Sequence, residues 1–317
     1  MFCGTGKLPI REFKDKTRYI FPRIETTICQ DRVQLLALFH FDDFDEALEI
    51  LEQMVFHWKC TPKTFREEKK ELIEEARDFF GSYEHRKIKS QFSLLPVQKA
   101  LPLGSVSSLK KLNVSDIPKI KDYWEDLLAT VPKSISFIGT QSKERMQKLE
   151  KIFLKDVPQR KIIREWKVKS SHFAVKKNVA GFWYESNTAH LCTITLDAVF
   201  FWRCAQLRIP RWQYDSRIFD TVAGFFIYDE DENPEKIGKR VFDLNISKAE
   251  FDFAQKQVLH RFDEKFDIID IFDSLEWFDD FDEYTYGPCG IKNPLHAYEY
   301  FKSLTYADFM EFVEKIK

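Results

Sequence analysis

Glu68 and Glu75 stand seven residues apart in the run Phe65-Arg66-Glu67-Glu68-Lys69-Lys70-Glu71-Leu72-Ile73-Glu74-Glu75. Seven residues is close to two turns of α-helix, so both carboxylates leave the same face. Taken alone, such a run is a solvated face, because charged neighbours like Glu67 and Glu71, or Glu71 and Glu75, need water. Zinc catalysis would need further protein ligands, three in all with an open position. The seven histidines (His40, His57, His85, His172, His190, His260 and His296) form neither His-Glu-x-x-His nor His-x-x-Glu-His. In both of those spacings paired histidines hold zinc while the glutamate acts as general base on the metal-bound water. The nearest approach, His260-Arg261-Phe262-Asp263-Glu264, lacks a second histidine and is expected to hold a half-buried structural imidazole. The six cysteines (Cys3, Cys29, Cys60, Cys192, Cys204 and Cys289) include no Cys-x-x-Cys pair, so buried thiols in a reducing compartment are expected.

The elements that would position these groups follow from periodicity. Val33 to Phe41 is a compact apolar run suited to a buried strand, and Asp43 to His57 is an amphipathic helix with an acidic start. Thr61-Pro62 opens a long charged helix over 63–80, and Leu95 to Ser105 is a turn-rich connection. A helix from Ser115 through Leu128, a strand Ser134–Gly139 and a helix Gln141–Phe153 follow. The charged, proline-interrupted stretch Lys155–Lys161 is the expected linker, which divides the chain into halves 1–158 and 159–317. In the second half, strands are expected at Ser171–Val175, Leu191–Leu196 and Val222–Tyr228, a polar turn at Asp229–Pro234, and helices at Lys248–Asp263 and Thr305–Ile316.

Composition excludes several classes. The 317 residues are 44% hydrophobic, with 31 Phe, 11 Tyr and 7 Trp, which is too apolar for a disordered chain. Forty-nine basic residues against 51 acidic ones give no global footprint for nucleic acid. No window approaches the roughly 18 uninterrupted apolar residues of a membrane span, and the N-terminal segment Met1–Pro9 has no signal-like apolar stretch. A cytoplasmic protein with neither nucleic acid nor membrane as partner is the expectation.

Three ordered stretches of the first half resemble the insulinase and pitrilysin-type zinc metallopeptidases, the family that includes the mitochondrial processing peptidase. The first is the Glu68 to Glu75 helix, since that family places a glutamate, six residues and a second glutamate on one helix. The second runs from Ala100-Leu101-Pro102-Leu103-Gly104 through Leu109, Leu112, Asp116-Ile117 and Tyr123-Trp124 to Phe137-Ile138-Gly139, with Leu101 where the family's turn has histidine. The third, Phe2-Cys3-Gly4-Thr5 with Lys7 and Pro9, resembles the segment just after the family's His-x-x-Glu-His motif, which would fall upstream of Met1. Weaker matches lie at Ser247–Gln257, at Leu304–Phe309 and around Arg208–Tyr214.

The resemblance implies an α+β fold of two successive α/β-sandwich halves of LuxS/processing-peptidase-like type, faced by helices on mixed sheets, the first half incomplete at its N-terminus. It implies Glu75 as a third zinc ligand, Glu68 as its supporting carboxylate, and Arg211 and Tyr214 on a loop beside a peptide or unfolded protein substrate. Zinc would belong to the complete family site, and this chain, without the histidine motif, would bind it weakly and be inactive. The alternative is a natural non-catalytic subunit that binds a peptide or pairs with an active peptidase subunit. The acidic aromatic run Glu276–Tyr284 either binds a basic partner or, more simply, buries its rings and solvates its carboxylates.

Overall fold

The computed structural model describes residues 5, 10–28, 33–94, 105–131, 133, 135, 142–155, 166–187, 190–218, 221–228, 233–266 and 294–317. The turn around Leu101, most of the expected strand 134–139, most of the linker at 155–161 and the acidic run 276–284 lie outside them. The chain forms two compact units, Met1–Ser82 with Leu103–Arg160, and Tyr83–Pro102 with Lys161–Lys317. The expected halves were 1–158 and 159–317; in this division the later boundary falls after Arg160, and Tyr83–Pro102 goes with the second unit.

In the first unit, α1 (Ile10–Ile20) leads into a hairpin of β1 (Arg23–Ile28) and β2 (Val33–Leu38), antiparallel from Arg23↔Leu38 to Ile28↔Val33. Phe13, Ile20 and Phe21 pack with Ala47, Ile50 and Met54 of α2 (Phe44–Phe56), and Leu35 and Ala37 of β2 lie against them. The β2 strand expected to be buried is therefore half-buried, with Val33 exposed at its start. Then come α3 (Pro62–Gly81) and, after α4 (Tyr83–Phe92), which belongs to the second unit, α5 (Val106–Lys111), α6 (Ile117–Thr130) and α7 (Lys143–Phe153). Leu149 of α7 packs on Phe44 and Leu48 of α2, and the Trp124 indole of α6 donates to the Val55 carbonyl at 2.8 Å.

Among the described residues the second unit holds a four-stranded sheet in the order β3-β4-β6-β5, with β3 at Val168–Lys176, β4 at Val179–Ser186, β5 at Tyr214–Ile218 and β6 at Val222–Tyr228. Mixed sheets were expected; every described strand pair is antiparallel. The segment Leu191–Leu196, expected as a strand, opens α8 (Cys192–Gln206) instead. Its alternation of Thr193 and Thr195 with apolar residues imitates a strand, but the helix is buried along most of its length, so it needs no polar stripe. The remaining helices among the described residues are α9 (Pro234–Val241), α10 (Lys248–Phe266), α11 (Pro294–Ser303) and α12 (Tyr306–Ile316). Phe182, Tyr184, Phe225 and Ile227 of the central strands form one core with Phe200 of α8, Phe251 and Phe262 of α10, Phe301 of α11 and Phe309 and Phe312 of α12.

Arg203 of α8 ties this core together. Its guanidinium, on a residue 8% exposed, donates to the carbonyls of Val241, Asp243 and Asn245 and meets Glu250 of α10 at 2.7 Å. Burial pushes the Glu250 carboxyl up, but Arg203 and Ser247 outweigh it and hold the group below its ordinary value. His190, just before α8, stacks on Phe312 with centroids 4.9 Å apart and accepts from the Cys192 N–H.

Two predictions follow from this packing. A Cβ at Gly238 of α9 would lie 2.7 Å from the Ala180 Cβ and 3.1 Å from the Phe173 ring, so Gly238→Ala is expected to cost about 1–3 kcal/mol in urea unfolding. Burial, with Lys315 adding to it, lowers the His190 pKa to about 4 from an ordinary 6.5. The unfolded chain then binds a proton that the folded one refuses. His190 leaves stability unaffected above pH 6.5 and erodes it as pH falls from 6.5 toward 4. The slope of stability against pH in that window should be shallower in His190→Phe than in the parent.

Candidate functional site

The α3 helix is built as its sequence dictates. The Thr61 hydroxyl caps it by accepting from the Thr64 N–H at 3.1 Å, and Pro62 occupies the first turn, where no N–H partner is needed. Thr64 and Phe65 are buried, while Lys69 reaches the carbonyls of Lys110 and Leu112 at 2.9 and 2.5 Å, which fastens α3 to the end of α5. Glu68 is half-buried and Glu75 exposed on the same helix. Lys63 and Lys70 approach Glu67 and Glu74 at 3.9 Å. Among the described residues, Glu68 and Glu75 form no ion pair and no hydrogen bond.

No group of three histidine, cysteine, aspartate or glutamate side chains that could hold a metal occurs among the described residues. Zinc in a catalytic site takes three protein ligands and one open position. Glu75 with Glu68 does not meet that requirement, so the residues described do not fit a zinc site by themselves. Thr5, at the N-terminal stretch that carried part of the resemblance, bridges to Trp58, and its hydroxyl donates to the Gln53 side chain at 2.7 Å.

Tyr214 and Arg211 are not neighbours in one substrate-facing loop. Arg211 is exposed in a short turn ahead of β5, with its guanidinium 5.9 Å from the Phe201 ring centroid. Tyr214 opens β5, is 9% exposed, and donates its hydroxyl to Asp197 Oδ1 at 2.5 Å. Burial and the Asp197 charge push its phenol well above the ordinary range. The hydroxyl that the resemblance would aim at substrate is thus held inside the core. Burial likewise raises Asp197, against hydrogen bonds from Tyr214 and Ser216, and pushes the nearby Cys204 thiol up to about 12. A thiol so held is a poor nucleophile at neutral pH. Cys60, Cys192 and Cys204 are all thiols rather than half-cystines, and His260 is exposed rather than half-buried.

Sequence reasoning missed a second polar cluster. Lys87 and Gln91 of α4 are buried: Lys87 donates to the Trp212 carbonyl at 2.9 Å and lies 3.8 Å from Asp215, and Gln91 donates to Asp215 at 3.0 Å. Arg217 completes it at 2.9 Å from the same carboxylate. Nothing in the α4 sequence alone announced it, because the partners lie more than 120 residues further along the chain.

The sequence matches no family model and no curated protein. Solved structures match it in fold. A peptidase M16 inactive domain from Pseudomonas fluorescens aligns over 99% of this chain and 82% of its own, with 10% identity and a TM-score of 0.65. A protease from Helicobacter pylori aligns over 99% and 84%, with 13% identity and a TM-score of 0.61. Pitrilysin aligns over 92% of this chain and 34% of its own, with 12% identity and a TM-score of 0.53. The chain therefore has the mixed helix-and-sheet fold of M16-type peptidase domains. It spans about a third of the pitrilysin chain and most of the length of the other two.

Tyr214→Phe should cost about 1–3 kcal/mol, because the buried Asp197 carboxyl loses a donor. Glu75→Gln, at an exposed position, should stay within about 0.5 kcal/mol of the parent. Urea denaturation of the two variants side by side checks both.

Proposed function

We propose that this chain is a peptidase-like homologue of the insulinase and pitrilysin type that binds peptide or unfolded protein and does not hydrolyse it. The observation that carries this reading is the pairing of an M16-type fold with a donor set around Glu75 that does not fit zinc. The 317 residues contain no His-x-x-Glu-His. Without that motif, no side chain in this chain supplies both metal ligands and the general base that the family's chemistry needs. What remains is a scaffold for holding polypeptide, alone or paired with an active subunit. A cytoplasmic location belongs to the same reading, and the buried thiols of Cys192 and Cys204 suit a reducing compartment.

One observation favours a second reading. Glu68 and Glu75 project from one helix without an ion pair among the described residues, as expected of carboxylates awaiting partners. In that reading, a histidine motif carried elsewhere in a longer protein completes the metal site, Glu75 becomes a zinc ligand with Glu68 supporting it, and the complete protein hydrolyses peptides. The acidic partner of the family's arginine–tyrosine segment is missing around Arg211, and Tyr214 is engaged with Asp197. Both features weigh toward the first reading.

The purified chain, supplied with zinc, should take up clearly less than one equivalent and leave internally quenched peptides uncleaved, while a reduced, unfolded protein binds to it in a pull-down. One-to-one zinc that disappears in Glu75→Gln, together with cleavage, would overturn the proposal.

A further inference from the structure

The polar attachment of α4 to the sheet converges on one atom. Asp215 Oδ2 accepts from Gln91 at 3.0 Å and from Arg217 at 2.9 Å, while the Lys87 ammonium, 3.8 Å from the same oxygen, is too far away for a hydrogen bond. Lys87 is 7% exposed, and among the described residues its one hydrogen bond goes to the Trp212 carbonyl at 2.9 Å. A buried ammonium met so sparingly recovers little of what it loses on leaving water. Two more atoms share that condition. Gln91 Oε1 on α4, and Trp183 Nε1 on the sheet face that α4 covers, are buried with no hydrogen-bond partner among the described residues.

Lifting α4 relieves all of this and strands no charge. Asp215 keeps Arg217, which stands two residues along the same strand. Lys87 and Gln91 regain water. The sheet itself moderates the apolar loss: the Phe226 ring lies over Gly181 of the neighbouring strand, 2.8 Å from where a Cβ would stand, and the Trp183 ring is 4.5 Å from the His172 ring of β3. Leu94, 3.0 Å from that same Cβ position, and the buried Phe92 are the apolar groups that draw the helix back.

We propose that α4 is a detachable strap, which lifts as a whole from the folded second unit, bares the Trp183–Phe226 face of the sheet, and returns to the Asp215–Arg217 pair. Such an opening is sub-global: the core made with α8, α10, α11 and α12 lies on the other face of the sheet and stays intact. A permanent cover would carry apolar side chains at positions 87 and 91, since well-packed apolar groups generally hold better than a buried ion pair. The lysine and glutamine found there set the register of the closed helix, yet water can replace each of their contacts. Arg86 and Lys89 are exposed in the closed form and keep the lifted helix soluble. The motion is independent of what the chain binds, so it stands or falls apart from the polypeptide-binding reading.

Native-state hydrogen exchange on the full chain, read at single amides over a series of urea concentrations below the unfolding transition, tests the strap. The amides from Lys87 to Gln91 should exchange at one common opening rate, at least a hundredfold faster than those of α8, and faster still as urea rises. Those of β4 and β6 should stay as slow as α8. Exchange of α4 at the rate of α8 overturns the strap, because the helix then leaves only when the whole unit unfolds. Fast exchange that ignores urea also overturns it, since fraying exposes no surface. Both outcomes are read on the parent chain, so no misfolded variant can obscure them. Lys87→Met combined with Gln91→Leu separates a releasable latch from a fastening. With circular dichroism unchanged, the pair should slow exchange in α4 at least tenfold and leave α8 as it was; unchanged or faster exchange in α4 overturns the role given to the two polar side chains.

Discussion

The second unit is governed by one requirement: β4 and β6, paired side by side in the middle of the sheet, are buried on both faces. An antiparallel pair in water ordinarily solvates one face. Here Phe182, Tyr184, Phe225 and Ile227 point into the core with α8, α10, α11 and α12. Trp183 and Phe226, on the alternate positions, are buried too. The second face therefore needs its own cover. It receives α4 and the residues just after it: Gln91 and Lys87 close on Asp215, the register partner of Phe226, and Leu94 stands 3.0 Å from where a Gly181 Cβ would be. The burial of two strands explains why a helix early in the chain belongs to a unit built largely from residues beyond 160.

Much of this was legible in the sequence where a helix has one wet face and a signposted start. The Thr61-Pro62 entry of α3, the Ser142 cap of α7 and the reciprocal Thr305–Asp308 capping box of α12 all form as their residues suggest. Signals failed where burial removes the contrast between faces. In α8, Cys192-Thr193-Ile194-Thr195-Leu196 alternates like a strand because nearly every side of the helix is inside. In β4, Gly181 breaks the apolar run at a point where the Phe226 ring leaves no room for a side chain, so the glycine reads locally as a weakness and is structurally a fit. The polar α4, Tyr-Glu-His-Arg-Lys-Ile-Lys-Ser-Gln-Phe, gave no hint that its lysine and glutamine would be buried.

The candidate site divides along the same line. Glu68 and Glu75 were placed correctly on one helix by spacing alone, since helical geometry is local. Tyr214 was placed on a loop beside substrate by the resemblance. Its environment is set by Asp197, 17 residues away on a helix that had been read partly as a strand. The order β3-β4-β6-β5 went unread for a different reason: strand order is not written in any one strand.

The reach of α4 across the chain also sets an order of events during synthesis. Phe92 leaves the ribosome long before Val168 begins the first strand of the sheet that α4 covers. At about 5–20 residues per second the wait is several seconds. During that time Lys87 and Gln91 have no Asp215 to meet and Phe92 has no sheet to cover. The helix must remain soluble on its own charges, which its arginine and lysines supply. The polar character that obscured its role in the folded protein is what keeps the nascent chain in water until its strands arrive.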